Sequence, residues 1–240
     1  HVRSRRQRQM CIRDRLITDG DKLKRIVEFK DASPAERAVS LCNGGVMAAS
    51  AGLLFDLLSE IDANNASGEL YLTDVIGKAV ARGLPCTAVR CAERETLGVN
   101  SRVELMQAEK EFQNLRRTEA LEDGVTMPAP ETVHFSYDTV IGRDTIIEQN
   151  VVFGPGVTVE SGAQIRAFSH LEGAHVSRGC IIGPYARLRP GAELAEDVKI
   201  GNFVEIKASA LEEGAKVNHL SYIGDAHIGA RANIGAGTVT

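Results

Sequence analysis

The stretch IGRDTI IEQNVV FGPGVT VESGAQ IRAFSH (residues 141–170) repeats every six residues, and the repeat runs on to the last residue. Its leading positions are Ile141, Ile147, Phe153, Val159, Ile165, Leu171, Val176, Ile182, Leu188, Leu194, Ile200, Ile206, Leu211, Val217, Ile223, Ile228 and Ile234. All 17 are aliphatic or Phe, and the step is six apart from three steps of five, at 171–176, 206–211 and 223–228. Four places on, 15 of the 17 units carry a small residue, and the exceptions, His175 and His227, fall at five-residue steps. A helix repeats every 3.6 residues and a lone strand every two, so neither sustains this spacing. A period of six over so long a run predicts a parallel β-solenoid. The large aliphatic fills the coil, the small residue sits at the bend, and coils stack at ~4.8 Å.

Upstream of the repeat the pattern changes. Residues 22–30 alternate as a strand, and Ser33-Pro34-Ala35-Glu36 reads as a capping box opening a short helix to about Leu41. Residues 42–49 look strand-like, 53–61 and 73–82 helical, and 87–91 strand-like, which is an α/β alternation over 16–100. Ser101 to Glu104 is a second capping box, starting a charged helix that stops at Gly124 and is long enough to act as a linker. The β-solenoid is expected over 133–240.

Composition sets further limits. A chain of 240 residues with 43% hydrophobic and 25% charged residues is an ordinary globular protein. It lacks the apolar run of a membrane span or secretory leader, so the cytoplasm is the expected compartment and no membrane partner is expected. Five scattered cysteines without a C-x-x-C pair point to reduced thiols. Residues 1–15 hold six Arg and one Asp, leaving −9 on an acidic remainder. That acidic remainder argues against a nucleic-acid partner, and residues 1–15, aperiodic, are expected to be foreign or disordered.

Spacing also brings chemistry together. Arg189 and Lys207 are 18 residues apart, three hexapeptides or one coil, and each follows an interior aliphatic, so both point outward on one edge. At ~5 Å two such charges repel by ~3 kcal/mol in an effective dielectric near 20. The pair therefore invites an anion such as phosphate, although spacing alone leaves open two solvated surface charges. The five-residue step at 206–211 places His219 above Asn202 and Tyr222 above Glu205. A neutral imidazole beside a phosphate-binding pair suits a general base for an amine nucleophile, and a bystander surface His remains open too.

The hexapeptides resemble the left-handed parallel β-helix of acyltransferases. More specifically, IGPYARLRPGAEL (182–194), IGNFVEIKASAL (200–211), VNHLSYIGDAHIGARANIGAGT (217–238) and GVNSR (98–102) resemble one bacterial family. It is the bifunctional UDP-N-acetylglucosamine pyrophosphorylase / glucosamine-1-phosphate N-acetyltransferase family. IVEFKDAS (26–33) and NNASGELYLTDVIGKA (64–79) resemble the end of its Rossmann-like nucleotidyltransferase domain. The resemblance implies acetyl transfer from acetyl-CoA to glucosamine-1-phosphate, then uridylyl transfer from UTP. It makes His219 the base and places Arg189, Lys207, Tyr222 and Asn233 on glucosamine-1-phosphate and Ala236 on the acetyl-CoA side. Glu28, Asn43 and Asn100 would contact the sugar nucleotide, with Asn100 a ligand of Mg2+. It also implies a homotrimer whose acetyltransferase sites are built between subunits. The family's glycine-rich nucleotide loop and its last coils match nothing in this chain, so neither reaction is expected to run well in it alone. The alternatives are another sugar-phosphate nucleotidyltransferase with a regulatory β-helix, or a non-catalytic trimerising β-helix.

Overall fold

The computed structural model describes residues 14–240, which form two compact units dividing after Val99. The expectation for residues 1–13 lies outside the described residues, but Arg15 of the same stretch is buried in a strand.

In the first unit β1 (Arg15–Asp19) and β2 (Lys22–Val27) form an antiparallel hairpin that turns at Gly20, whose φ of +59° suits a residue without Cβ. The helix α1 (Pro34–Arg37) has the expected cap, with the Glu36 N–H donating to Ser33 Oγ and the Ser33 N–H to Glu36 Oε2. Leu16, Leu23 and Ile26 of the hairpin make one small core, and α2 (Ala51–Leu58) and α3 (Asp74–Ala81) make another around Leu57, Val75 and Ala79. Met47, Ile76 and Cys86 pack against both.

Two expected strands are not formed. Residues 42–49 contribute one bridge, Cys42 to Arg15, and 87–91 one bridge, Thr87 to Lys22. After Cys42 the chain leaves the hairpin edge because Asn43 Oδ1 accepts the Gly45 N–H and Gly45 takes a φ of +79°. Among the described residues this unit's sheet therefore has two antiparallel strands instead of a wound parallel set.

The second unit opens with α4 (Arg102–Glu122). Ser101 Oγ accepts the Glu104 N–H, while Glu104 Oε2 reaches back to the Asn100 N–H, one residue beyond the usual capping-box partner. At its end Gly124, with a φ of +92°, lets the Val125 N–H bond Ala120 O and the Gly124 N–H bond Leu121 O, a Schellman closure. The helix expected as a linker packs on the first coil of the solenoid. Gln113 is buried, Arg117 Nε donates to Val133 O and Arg116 Nη2 donates to Thr139 O. The exposed backbone edge that an open solenoid end would present is thereby covered.

The solenoid follows the sixfold ladder. Fifteen of the 17 leading side chains are buried, and the outer two, Ile141 and Ile234, pack against the same core. Parallel pairing stacks them in three columns. One column runs Ile147, Ile165, Ile182, Ile200, Val217, Ile234, and the second runs Phe153, Leu171, Leu188, Ile206, Ile223. The third runs Ile141, Val159, Val176, Leu194, Leu211, Ile228. The first coil begins earlier than expected, since Val125 and Met127 join the core and Thr126 bridges Ile146. The Pro128–Pro130 break and the turn Pro130–Thr132 stretch the step from Met127 to Phe135 and hide it from a sixfold count.

The corners differ from the sequence reading. The small residue is not the bend itself but the inward residue after it, and a left-handed residue turns the chain. That residue lies three places after each ladder position, or two at the five-residue steps, and all 17 have positive φ. The small residue moves with it, so Ala174, Ser209 and Ala226, not His175 and its equivalents, point inward at the short steps. Phe168, Tyr185, Phe203 and Leu220 occupy four consecutive corners of one edge in this unfavourable conformation. The rings of Phe168, Tyr185 and Phe203 stack at 4.9 and 5.3 Å, which offsets part of the strain.

Candidate active site

Strands Lys199–Lys207 and Lys216–Gly224 run unbroken round one corner, and in register they carry three of the expected site residues, Lys207, His219 and Tyr222. Pairing of Leu188 with Ile206 puts Arg189 beside Lys207, and its N–H donates to Ile206 O at 2.8 Å. Lys207 in turn pairs with Gly224, so Arg189, Lys207 and Gly224 form one outward file. The expected stacking of His219 on Asn202 and of Tyr222 on Glu205 is found.

The two cations are not bare. Arg189 Nη1 donates to Glu205 Oε1 at 2.8 Å, and Lys207 Nζ to Asp225 Oδ2 at 3.4 Å. The repulsion inferred from spacing is therefore relieved by carboxylates of the next coil, Glu205 on its strand and Asp225 at its corner, and an arriving anion has to displace or share them. Both ion pairs are partly exposed, where such a pair is worth ~0–1 kcal/mol. That is weak enough for a phosphate to compete.

His219 Nδ1 lies 2.9 Å from Asn202 Oδ1. A carbonyl oxygen only accepts, so Nδ1 carries the proton and Nε2 the free lone pair. Ser221 Oγ donates to the His219 carbonyl at 2.8 Å and fixes the backbone around the corner residue Leu220. Ala236 lies one coil further on in the file of Asn202 and His219, just before Gly237, whose N–H donates to Leu220 O.

Asn233 stands apart from the Arg189 file. It pairs with Lys216 on the adjoining face and is tied to the His219 strand by Asn218 Nδ2, 3.5 Å from its Oδ1. The sequence reading stacked His219 on Asn202 but missed Glu205 and Asp225 as partners of the two cations. For Asp225 the signal was present, since it lies 18 residues from Lys207, one past the in-register neighbour Gly224 on the next coil.

In the first unit Glu28 and Asn43 meet around Asp14. The Asn43 N–H donates to Asp14 O at 2.9 Å, and Thr73 Oγ1 donates to Glu28 Oε1. Burial, and then the hydrogen bond and charge of Asp14, push the Glu28 carboxyl up to about 7. No spacing rule marks Asp14 or Thr73. Asn100 lies at the start of the second unit, exposed, with its N–H bonded to Glu104.

Residues 138–173 match the family described as Bacterial transferase hexapeptide (six repeats). The chain is similar to the Bifunctional protein GlmU of Jannaschia sp., 63% identical over 226 residues covering 94% of this chain and 50% of the relative. The Ruegeria sp. protein of the same name is 65% identical and that of Zymomonas mobilis 54%, with the same coverage of each chain. This bears out the resemblance, and the chain spans about half the length of the curated relatives it matches. Among solved structures, the acetyltransferase domain of PglB from Neisseria gonorrhoeae in complex with acetyl coenzyme A is 16% identical over 47% of this chain and 60% of that one, with a TM-score of 0.39. Among the described residues no helix is long and apolar enough to cross a membrane.

Proposed function

We propose that this chain belongs to the bifunctional GlmU family, to which it is 54–65% identical, and that its left-handed β-helix transfers an acetyl group from acetyl-CoA to glucosamine-1-phosphate. The observation that carries this reading is the register of Arg189 with Lys207 and of His219 with Asn202 on neighbouring strands. Two cations with weakly held carboxylates suit a sugar phosphate at one end, and an imidazole with a defined free nitrogen suits its amine at the other.

In this reading Arg189 and Lys207 grip the phosphate, and Tyr222 and Asn233 hold the sugar. His219 Nε2 takes a proton from the 2-amino group as the nitrogen attacks the thioester carbonyl. The C–N bond forms, the C–S bond breaks and coenzyme A leaves as the thiolate. Asn202 holds the imidazole in the tautomer that leaves Nε2 basic and stabilises the imidazolium once the proton has moved. Ala236, in the His219 file, lies on the coenzyme side. A trimer, with a neighbouring subunit completing each site, belongs to the same proposal.

The first unit is proposed to be part of a Rossmann-like nucleotidyltransferase domain that transfers uridylyl from UTP to N-acetylglucosamine-1-phosphate. Glu28, Asn43 and Asn100 would contact the sugar nucleotide. For the Mg2+ of that reaction Asn100 offers a single amide oxygen, and no group of three His, Cys, Asp or Glu side chains among the described residues could hold a metal. The residues present do not by themselves fit the ion.

The test is thiol release from acetyl-CoA with glucosamine-1-phosphate, measured on the chain extended to the length of its relatives. His219→Ala should lower kcat by about 100-fold or more. An unchanged rate would leave a regulatory or trimerising β-helix as the reading.

A further inference from the structure

We infer that Gly224 is a positioning residue of the sugar-phosphate site, acting through the ring of Tyr222; this rests on the acetyltransferase reading above. Gly224 follows Arg189 and Lys207 in their outward file, where a third side chain would stand. The space is filled by Tyr222. A Cβ built on Gly224 would meet Tyr222 Cε1 and Oη at 2.6 Å and Cζ at 2.8 Å. The phenol thus lies across the cation file, one coil from Lys207. Its hydroxyl has no hydrogen-bond partner among the described residues, which leaves it free for a ligand.

Gly224 differs from other glycines of the coils in what opposes a side chain. At Gly142 and Gly201 a Cβ would strike backbone atoms of Ser161 and Asn218, so those glycines allow the coils to approach. At Gly224 the three nearest atoms all belong to one side chain that can rotate away. Its φ is not in the left-handed region, so its backbone accepts Ala. The fold should therefore survive a methyl group there, and the Tyr222 ring should be displaced. The glycine is then needed for where the hydroxyl stands, and the coil itself does not require it.

The experiment is a double-mutant cycle on the chain extended to the length of its relatives, with Gly224→Ala, Tyr222→Ala and the pair, each assayed for acetyl transfer and for thermal melting. Gly224→Ala should raise KM for glucosamine-1-phosphate by about tenfold, as expected for a lost hydrogen bond to a charged ligand. Its kcat should stay within about twofold and its melting should match wild type. In the Tyr222→Ala background the same substitution should change nothing further. An unchanged KM, or equal losses in both backgrounds, would overturn the inference. So would a melting loss that Tyr222→Ala does not relieve, since the obstruction would then be backbone. A wild-type protein without acetyl transfer would instead overturn the functional reading, and this inference with it.

Discussion

The side-chain amide of Gln113 pairs with both halves of the Phe135 peptide, Nε2 donating to its carbonyl at 2.6 Å and Oε1 accepting its N–H at 2.9 Å. It does for the first coil what a preceding coil would do, and it does so from a helix. Gln113 is also the one buried residue of α4, which elsewhere exposes charged side chains interspersed with Val103, Leu105, Met106, Leu115 and Leu121.

Gln113→Ala should leave the N–H and C=O of buried Phe135 unpaired at ~1–3 kcal/mol each, so a loss of about 2–6 kcal/mol is expected for the solenoid unit. Urea unfolding followed by circular dichroism reads it as a lower midpoint with an unchanged slope. A midpoint equal to wild type would mean that α4 does not cap the coil.

The Asn202–His219 pair predicts a split between turnover and binding. Asn202→Leu removes the acceptor that holds Nδ1–H and with it the orientation of the imidazole. Acetyl transfer by the extended chain should lose about tenfold or more in kcat, with KM for glucosamine-1-phosphate within about twofold of wild type. An unchanged kcat would mean that Asn202 does not orient the base.

The ladder was legible because burial leaves little choice at Leu188 or Ile206, and a six-residue period has few competing explanations. The same arithmetic correctly paired His219 with Asn202 and Arg189 with Lys207. It did not read Glu205 or Asp225 as partners, because a register says which residues are neighbours and not which way a long side chain leans. The corners were misread because positive φ is usually inferred from Gly or Asn, and here Phe168, Tyr185 and Phe203 adopt it with stacking as compensation. In the first unit the strands expected at 42–49 and 87–91 failed for another reason. Pairing depends on partners distant in sequence, and local alternation cannot supply them.

Glu205 already holds the Arg189 guanidinium that is proposed to take the phosphate. Glu205→Gln removes a competitor for Arg189 without changing shape, so affinity for inorganic phosphate or for the sugar phosphate should rise severalfold, by about 0.5–1 kcal/mol. Arg189→Ala should weaken it by about tenfold or more. Titration calorimetry at low salt reads both, and each effect should shrink as salt rises. If Glu205→Gln weakens binding instead, the carboxylate orients the guanidinium and does not compete with the phosphate.

Glu28 sets the pH dependence of the first unit. Its folded pKa is raised from 4.5 to about 7 by burial and by Asp14, so the folded chain holds this proton more tightly than the unfolded chain. The stabilisation is fully present below about pH 4.5 and is lost as the pH rises through about 7. The melting temperature of this unit should therefore fall across that window. Glu28→Gln keeps the acceptor for Thr73 but cannot ionise, and should flatten the dependence on the alkaline side. A melting temperature that falls equally in Glu28→Gln would shift the cause to another group, with Asp74, whose carboxyl is also raised by burial, as the candidate in this unit.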